Sequence, residues 1–521
     1  MQDLKNEIEQ MSRILECIEN NVNSEKCENI CQRAGLKSAF KEKKIKEKIK
    51  LCIDLLLERL GRIPYCSVDE YRVDIELRSY VQELRTKVIL LEYLQKEKKR
   101  KTEKKFVEVN IPAANNLEKK SVSLEKLKKG YIAFIVNSLD KGGLEQVVAL
   151  LAKGFYKQNI SVKVICLDEG GWIAEQLEQA GIEVNIFHGN GRSFRSYIKK
   201  NPPILANTHY VKRHIKFMYK QGIPIVEVIH NMYVYYCDHV AKIERKNEKY
   251  FTKLIAVSEI VKETYQQRIT DSNKIVVIGN AAELRAAPKR SREEIRKAFR
   301  IPEDAFVILN VGSIDPRKNQ LGILEAFNII SEISDTLVYL IFAGNIQDEI
   351  YSNIIIQKIQ RIDEHKRKQI RIFPYYKNVR ELYCISDVFL LDSYYEGWSI
   401  AATEALYDGL PIIHSKCGSA VELTDKGRYG KIISNPGGDL RYLKKQDLVK
   451  KIARYEYENT EEIVKVIREM IGERKQWEEY RGIIKQETYG KFSQENMINN
   501  YTQLFEKILS EERSYKERWE I

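Results

Sequence analysis

The sequence predicts an α/β protein: two parallel-sheet units in tandem, preceded by an α-helical N-terminal region. Three observations carry that expectation. Strand-sized apolar runs alternate with amphipathic stretches from residue 130, the alternation restarts after the polar stretch Ala286 to Glu294, and residues 1–105 show helical spacing alone. The length agrees, since 521 residues at roughly 100–200 per domain make two to four folded units. The composition, 43% hydrophobic and 31% charged, supplies ordinary buried cores and excludes a disordered or fibrous chain.

Residues 1–129 come first. Leu4, Ile8, Met11, Leu15, Ile18 and Val22 are spaced by four and three, and so are Leu77, Val81, Leu84, Val88 and Leu91. Each stripe needs a partner helix. Neither sustains the heptads of a long coiled coil, so a helical hairpin turning at Gly61 to Pro64, or a short bundle that makes a homodimer, is expected. The region holds 29 basic and 22 acidic residues, a net +7 of the formal +13, and leads through the Lys- and Arg-rich run Lys96 to Lys105 into a linker at 110–117. Such a run is usually a solvated face, although beside an amphipathic helix it also suits peripheral contact with anionic lipid. No nucleic-acid recognition motif accompanies the charge.

The nine cysteines are odd in number and scattered, as free thiols of a reducing compartment would be. Cys27-x3-Cys31 is the sole close pair and has no histidine before His188 to complete a zinc site, which favours buried thiols. No apolar run approaches the roughly 18–20 residues that span a bilayer. The start, Met1-Gln2-Asp3-Leu4-Lys5, lacks the basic-then-apolar order of a secretion signal, so a cytoplasmic protein is expected.

The first α/β unit, assigned to 130–288, opens with the apolar run Tyr131 to Val136, the loop Asn137 to Gly143 and an amphipathic helix Leu144 to Gln158. Val162 to Leu167, a helix from Trp172 to Ala180 and Ile182 to Phe187 complete a βαβαβ run, whose fully apolar strands imply a parallel sheet covered on both faces. The second unit, 289–489, has strands at Phe306 to Val311, Val338 to Ala343, Ile370 to Phe373, Val388 to Leu391 and Pro411 to His414, with a helix near Leu321 to Ile333. Both units are therefore Rossmann-like. Ligands of such sheets sit at the carboxyl ends of the strands, so two units facing each other leave a shared cleft.

The strand-end loops carry the chemistry. Gly142-Gly143 lets backbone and a helix N-terminus approach an anion, with mere turn geometry as the equal alternative. Gly312 to Asn319 includes the adjacent cations Arg317 and Lys318, which suit a diphosphate. In Ser393 to Leu406, Glu396 lies on a loop and Glu404 eight positions later on a helix, so one carboxylate can accept hydroxyls at a reacting sugar while the other holds a ribose. His230-Asn231 follows the strand Ile225 to Ile229, and His209 ends another strand, where it could contact an acceptor.

Glu396-Gly397 through Glu404, a Glu-x7-Glu arrangement, resembles the family 4 retaining glycosyltransferases of the GT-B fold, also known as group 1 glycosyltransferases. The resemblance covers roughly 130–510. It takes in Gly142-Gly143, His230-Asn231, Val257-Ser258-Glu259, Gly312 through Lys318-Asn319, Gly418 to Glu422 and a closing helix, 490–521, that returns to the first domain. It implies that Glu404 binds the nucleotide ribose, that Glu396, Gly397, Trp398 and Ser399 contact the donor sugar and phosphates, that Lys318 meets the diphosphate, and that Tyr375 lies by the base. His230 matches the family's active-site histidine. Ser313 replaces the family's usual Arg, with Arg317 expected to supply that charge; Asp392 replaces a common Pro, and Asn280-Ala281-Ala282 matches the interdomain signature in part.

The implied function is transfer of a sugar from a nucleotide diphosphate, a UDP-sugar first among them, to a hydroxyl of a glycan, lipid-linked glycan or protein, with retention at the anomeric carbon. No Asp-x-Asp clamp appears in either loop set, so neither metal nor other cofactor is expected. His230, Glu396, Lys318 and Arg317 are the expected catalytic residues. The competing expectation is a catalytically silent GT-B scaffold or chaperone of another transferase, which Ser313 favours and the two glutamates with Lys318 oppose; nucleotide-sugar epimerisation is the third.

Overall fold

The computed structural model describes residues 125–517 apart from 126, 141, 233–242, 244, 268, 374–375, 377 and 440–444. The expected N-terminal helices with their dimer seam, the basic run, the Cys27–Cys31 pair, the linker at 110–117 and Tyr375 lie outside the described residues.

In the first unit β1 (Tyr131–Ser138), β2 (Ser161–Glu169), β3 (Glu183–Ile186), β4 (Leu205–His209), β5 (Ile225–Ile229), β6 (Lys253–Ala256) and β7 (Ile275–Val277) form one sheet. Its order is β3-β2-β1-β4-β5-β6-β7 and every pairing is parallel. Helices α1 (Gly143–Lys157), α2 (Trp172–Gln179), α3 (Gly191–Lys200), α4 (Ile215–Lys220) and α5 (Glu259–Gln266) return the chain between strands. Ile132 through Val136 are all buried, which is why β1 reads as an unbroken apolar run: helices cover it on both sides.

The second sheet contains β8 (Phe306–Val311), β9 (Val338–Ala343), β10 (Ile370–Phe373), β11 (Val388–Leu391), β12 (Ile412–Ser415) and β13 (Gly430–Ile433), in the parallel order β10-β9-β8-β11-β12-β13. Around it lie α6 (Arg292–Ala298), α7 (Gln320–Ile333), α8 (Glu349–Arg361), α9 (Glu364–Arg367), α10 (Val379–Ile385), α11 (Ile400–Tyr407), α12 (Ala420–Thr424), α13 (Lys445–Ala453) and α14 (Thr460–Gly472). Strands β6, β7 and β13, three or four residues each, add to the runs read in the sequence.

After α15 (Arg474–Lys491), α16 (Gln494–Glu517) returns to the first unit and lies on α1. Phe155 and Phe505 stack at 5.8 Å, Gln494 Nε2 donates to the Leu150 carbonyl at 2.8 Å, and a Cβ on Gly154 would stand 2.4 Å from Ile498. The chain thus passes between the units twice. At both passages stands Tyr407 of α11, whose hydroxyl donates to the Phe492 carbonyl and accepts from the Ala282 amide at 3.4 Å.

Strand order reverses between β1 and β4 in one sheet and between β8 and β11 in the other. At such a switch point the helices leave in opposite directions, which opens a crevice at the carboxyl ends. The two crevices face each other.

Candidate active site

The first contribution from the second unit is the loop after β8. Gly312 continues the ladder, its amide donating to the Ala343 carbonyl at 2.9 Å. Asp315 then accepts from the Arg317 amide at 3.0 Å and from the Ser313 hydroxyl at 2.5 Å, which folds Pro316–Lys318 into a 3-10 turn. Asn319 takes a left-handed conformation, φ 50°, and caps α7 through its side chain. This turn aims two cations into the crevice. Lys318 Nζ bonds Glu396 Oε1, and Arg317 NH1 reaches the same oxygen at 3.1 Å.

Glu396 follows β11. It is 7% exposed and also accepts from the Ser393 hydroxyl at 2.9 Å. Burial alone would raise its carboxyl; the charges of Lys318 and Arg317 outweigh that and hold it at about 2. The carboxylate is therefore ionised across the physiological range. Arg317, expected to stand in for the family's arginine at Ser313, thus sets its guanidinium on the Glu396 carboxylate. Ser399 caps α11, accepting from the Ala402 amide at 3.2 Å. Glu404, one turn into α11, receives the Tyr383 hydroxyl at 3.0 Å and lies 3.3 Å from Arg285 of the interdomain segment. Burial raises its carboxyl, with Arg285 and Tyr383 opposing. A cleft lined by Glu283, Arg285, Tyr383 and Glu404 opens there.

The first unit meets this surface closely. A Cβ on Gly397 would stand 1.7 Å from the His230 carbonyl oxygen, so glycine is what lets the loop after β5 touch the loop after β11. Gly142 precedes α1 without a side-chain cap, and Gly143 faces Ile400 of α11. The Val257-Ser258-Glu259 and Gly418 to Glu422 segments also meet: the Glu259 amide at the start of α5 donates to the Glu422 carboxylate at 2.6 Å.

Thus His230, Gly142, Gly143, Gly312, Arg317, Lys318, Glu396, Gly397 and Ser399 all lie on the facing loops or helix starts. Trp398 differs. Its indole donates to Thr403 at 2.9 Å, stands 5.5 Å from Phe492 and lies against Gly279, so its ring serves the junction between units and only its backbone is left for the crevice. His209 also departs from the expected acceptor contact: it is fully buried, and its Nδ1 lies 2.7 Å from His230 Nε2. Burial pushes His230 down to about 3 and lowers His209 well below its ordinary value, with His230 the second cause for His209.

Two features had no sequence signal beyond single polar residues. Asp392, fully buried, accepts from Asn319 and Asn459, each at 2.7 Å, tying the cation loop to the segment before α14. Burial pushes its carboxyl up to about 8 against those two donors. Arg285 on Glu404 is the second, since its partner lies more than a hundred residues away. Among the described residues no group of three or more His, Cys, Asp or Glu is placed to hold a metal ion, and no helix is long and apolar enough to cross a membrane.

The model of the Glycosyltransferase Family 4 domain matches residues 141–285, and that of Glycosyl transferases group 1 matches 291–458. The chain is 29% identical over 170 residues to the Escherichia coli UDP-Gal:alpha-D-GlcNAc-diphosphoundecaprenol alpha-1,3-galactosyltransferase, covering 32% of this chain and 42% of that one. It is 23% identical over 172 residues to the Bacillus anthracis N-acetyl-alpha-D-glucosaminyl L-malate synthase, covering 33% and 43%. The chain thus spans less than half the length of these two relatives. A Rickettsia africae glycosyltransferase superposes with a TM-score of 0.60 at 17% identity, over 73% of this chain and 99% of the other. Anabaena HepE in complex with UDP-glucose gives 0.59 at 16% identity, again over 73% and 99%. These likenesses show a GT-B fold. With two consecutive domain models matched over its paired sheets, the chain belongs to the family 4, group 1 glycosyltransferases.

Proposed function

We propose that the protein transfers a sugar from a UDP-sugar to an acceptor hydroxyl, with retention at the anomeric carbon and without a metal ion. The observation that carries this reading is the buried Glu396 carboxylate gripped by Lys318 and Arg317 at one switch point, directly across from His230 at the other. The leaving diphosphate gathers charge as the bond from the anomeric carbon breaks. Lys318, Arg317 and the start of α11 would neutralise it, each preorganised group of this kind contributing on the order of 3 kcal/mol. Diphosphate would displace Glu396 from the two cations and free it to accept sugar hydroxyls. The acceptor oxygen then bonds to the anomeric carbon on the face the leaving group departs from, and its proton passes to a diphosphate oxygen. Glu396 orients the sugar and forms no covalent bond. Glu404 would hold the ribose, and Gly142-Gly143 would leave room for the phosphates at the start of α1.

UDP as the nucleotide draws on the names of the E. coli relative and the HepE complex. The same E. coli name makes a lipid-linked diphosphate saccharide one acceptor class, beside other glycans and protein side chains. Homodimerisation or lipid contact through residues 1–129 belongs to the same proposal. Comparing the oligomeric mass and vesicle binding of the full chain with those of a variant lacking 1–129 tests it. For the main reading, a thermal-shift panel with UDP, GDP, ADP and their sugar conjugates is decisive: a nucleotide at 100 times its Kd stabilises by about 2.7 kcal/mol. Stabilisation by UDP and its sugars, with slow release of free sugar from them, is expected. No shift with any nucleotide would overturn the proposal, and binding without turnover under any acceptor would favour the silent scaffold.

A further inference from the structure

Strand β4 is unusual for the interior of a parallel sheet: Asn207, Thr208 and His209 in succession are each 0% exposed. Buried polar groups in such a place are costly unless every one is partnered. Side chains two apart on a strand share a face, so Asn207 and His209 point the same way while Thr208 turns to the other side and bonds Glu227 of β5. The partners on the first face settle the direction of every proton. Asn207 Nδ2 donates to the Val226 carbonyl at 2.9 Å, which turns its Oδ1 toward His209 Nε2 at 3.1 Å. A carbonyl oxygen only accepts, so His209 carries its proton on Nε2 and its Nδ1 is a bare lone pair. That lone pair faces His230 Nε2 at 2.7 Å, which must then be the donor. The remaining nitrogen of His230, Nδ1, is left as an acceptor. Tyr210 lies nearly parallel to the His230 ring, 9° between planes at 6.3 Å, its backbone left-handed at φ 61° and its carbonyl held by Asn137 at 2.9 Å.

Resting on the reading of this crevice as a sugar-transfer site, we infer that Asn207 and His209 are positioning residues that lock His230 as the neutral Nε2–H tautomer and present its Nδ1 as a hydrogen-bond acceptor for a substrate hydroxyl. The chain runs Val226 carbonyl, Asn207 amide, His209, His230, substrate. Neutrality has a consequence for specificity. A bare imidazole nitrogen welcomes a hydroxyl hydrogen and gives nothing to a carboxylate or phosphate oxygen, so the group it meets is a hydroxyl.

The test uses the full chain labelled at its seven histidines with 15N. Long-range 1H–15N correlation at pH 7 on unliganded protein should show His209 and His230 both as Nε2–H tautomers; a His230 signal protonated at Nδ1 overturns the inference whatever the activity. Hydrolysis of UDP-glucose and UDP-galactose and calorimetric binding of UDP provide the second readout. His209→Phe, which keeps the ring and removes both nitrogens, should lower kcat by about tenfold, the worth of one hydrogen bond near 1.4 kcal/mol, with UDP affinity within twofold. His209→Asn, whose Oδ1 replaces the Nδ1 acceptor, should recover most of that loss. Unchanged kcat in His209→Phe overturns the inference, as does equal loss in both variants. Should wild-type protein bind no UDP, the sugar-transfer reading fails while the tautomers still decide the proton order.

Discussion

Replacing Glu396 by Gln should tighten UDP binding while it slows turnover. In the unliganded site Lys318 and Arg317 are both committed to the Glu396 carboxylate, which is ionised at neutral pH because those two cations hold it at about 2. A phosphate oxygen that takes its place on Lys318 brings like charges to about 5 Å, a repulsion of about 3 kcal/mol per unit charge at an effective dielectric near 20. Arg317 is 24% exposed, so screening brings this to the order of 1.5 kcal/mol, or about tenfold in Kd. Glu396→Gln keeps the shape and removes the competing charge. Titration calorimetry with UDP in low salt should therefore show about tenfold tighter binding, and the gain should shrink as salt is raised. Hydrolysis or transfer should fall by on the order of a hundredfold, since the sugar loses the group that orients it. Weaker binding of UDP by the variant would refute the exchange of partners, because it would mean that the carboxylate supports the nucleotide rather than competing with it.

Other outcomes follow from the same geometry. Gly397→Ala should leave the melting of each unit intact yet cut turnover by about a hundredfold, since a Cβ 1.7 Å from the His230 carbonyl forces the facing loops apart by more than 1 Å; wild-type hydrolysis rates would contradict it. Glu404→Gln should narrow the preference for UDP over 2′-deoxy-UDP, a hydrogen bond to a charged group being worth about 1.5–3 kcal/mol, and equal preference in both proteins would remove Glu404 from the ribose. Turnover should persist within twofold in excess EDTA, because Lys318 and Arg317 supply the positive charge; loss restored by a divalent ion would count against that. Native stability should fall as pH drops from about 6.5 toward 4. Burial holds His230 at about 3 and His414 at about 4 and lowers His209, so the unfolded chain binds protons in that window that the native chain refuses. Each contributes a slope of up to about 1.4 kcal/mol per pH unit. Glu396 works in the same direction at lower pH, its contribution being full above its usual value of 4.5 and lost as pH falls toward 2, while Asp392, pushed up to about 8, holds a native proton that the unfolded chain gives up and so opposes the three histidines in part. Urea midpoints at pH 7.5, 6 and 5 check the slope, and a flat series would contradict it.

The architecture was readable where burial is two-sided. Runs such as Phe306 to Val311 are apolar throughout because helices cover both faces, and that same fact makes them stand out in the sequence. Lys318, Arg317 and Glu396 were readable as a group because each follows a strand end, and strand ends converge at a switch point. What escaped depends on distance in sequence with no local pattern. Asp392 joins Asn319 to Asn459, and nothing near any of the three announces the other two. Trp398 is a different case: its place within a functional motif suggests a ligand contact, while its ring fills the junction beside Phe492. His209 was visible as a polar residue ending a strand, but whether it faced solvent or a second histidine depended on how β4 and β5 align, and there His209 pairs with Val228.

One phenol governs how the lobes can move. Because the chain crosses between them at Ala282 and again at Phe492, and the Tyr407 hydroxyl holds both crossings, the two strands of the hinge cannot slide independently. Two pinned points define an axle. The Gly397 contact with the His230 carbonyl stands beside these crossings, since the neighbouring Trp398 packs on Gly279 and Phe492, so the facing loops are closest where the hinge is stiffest.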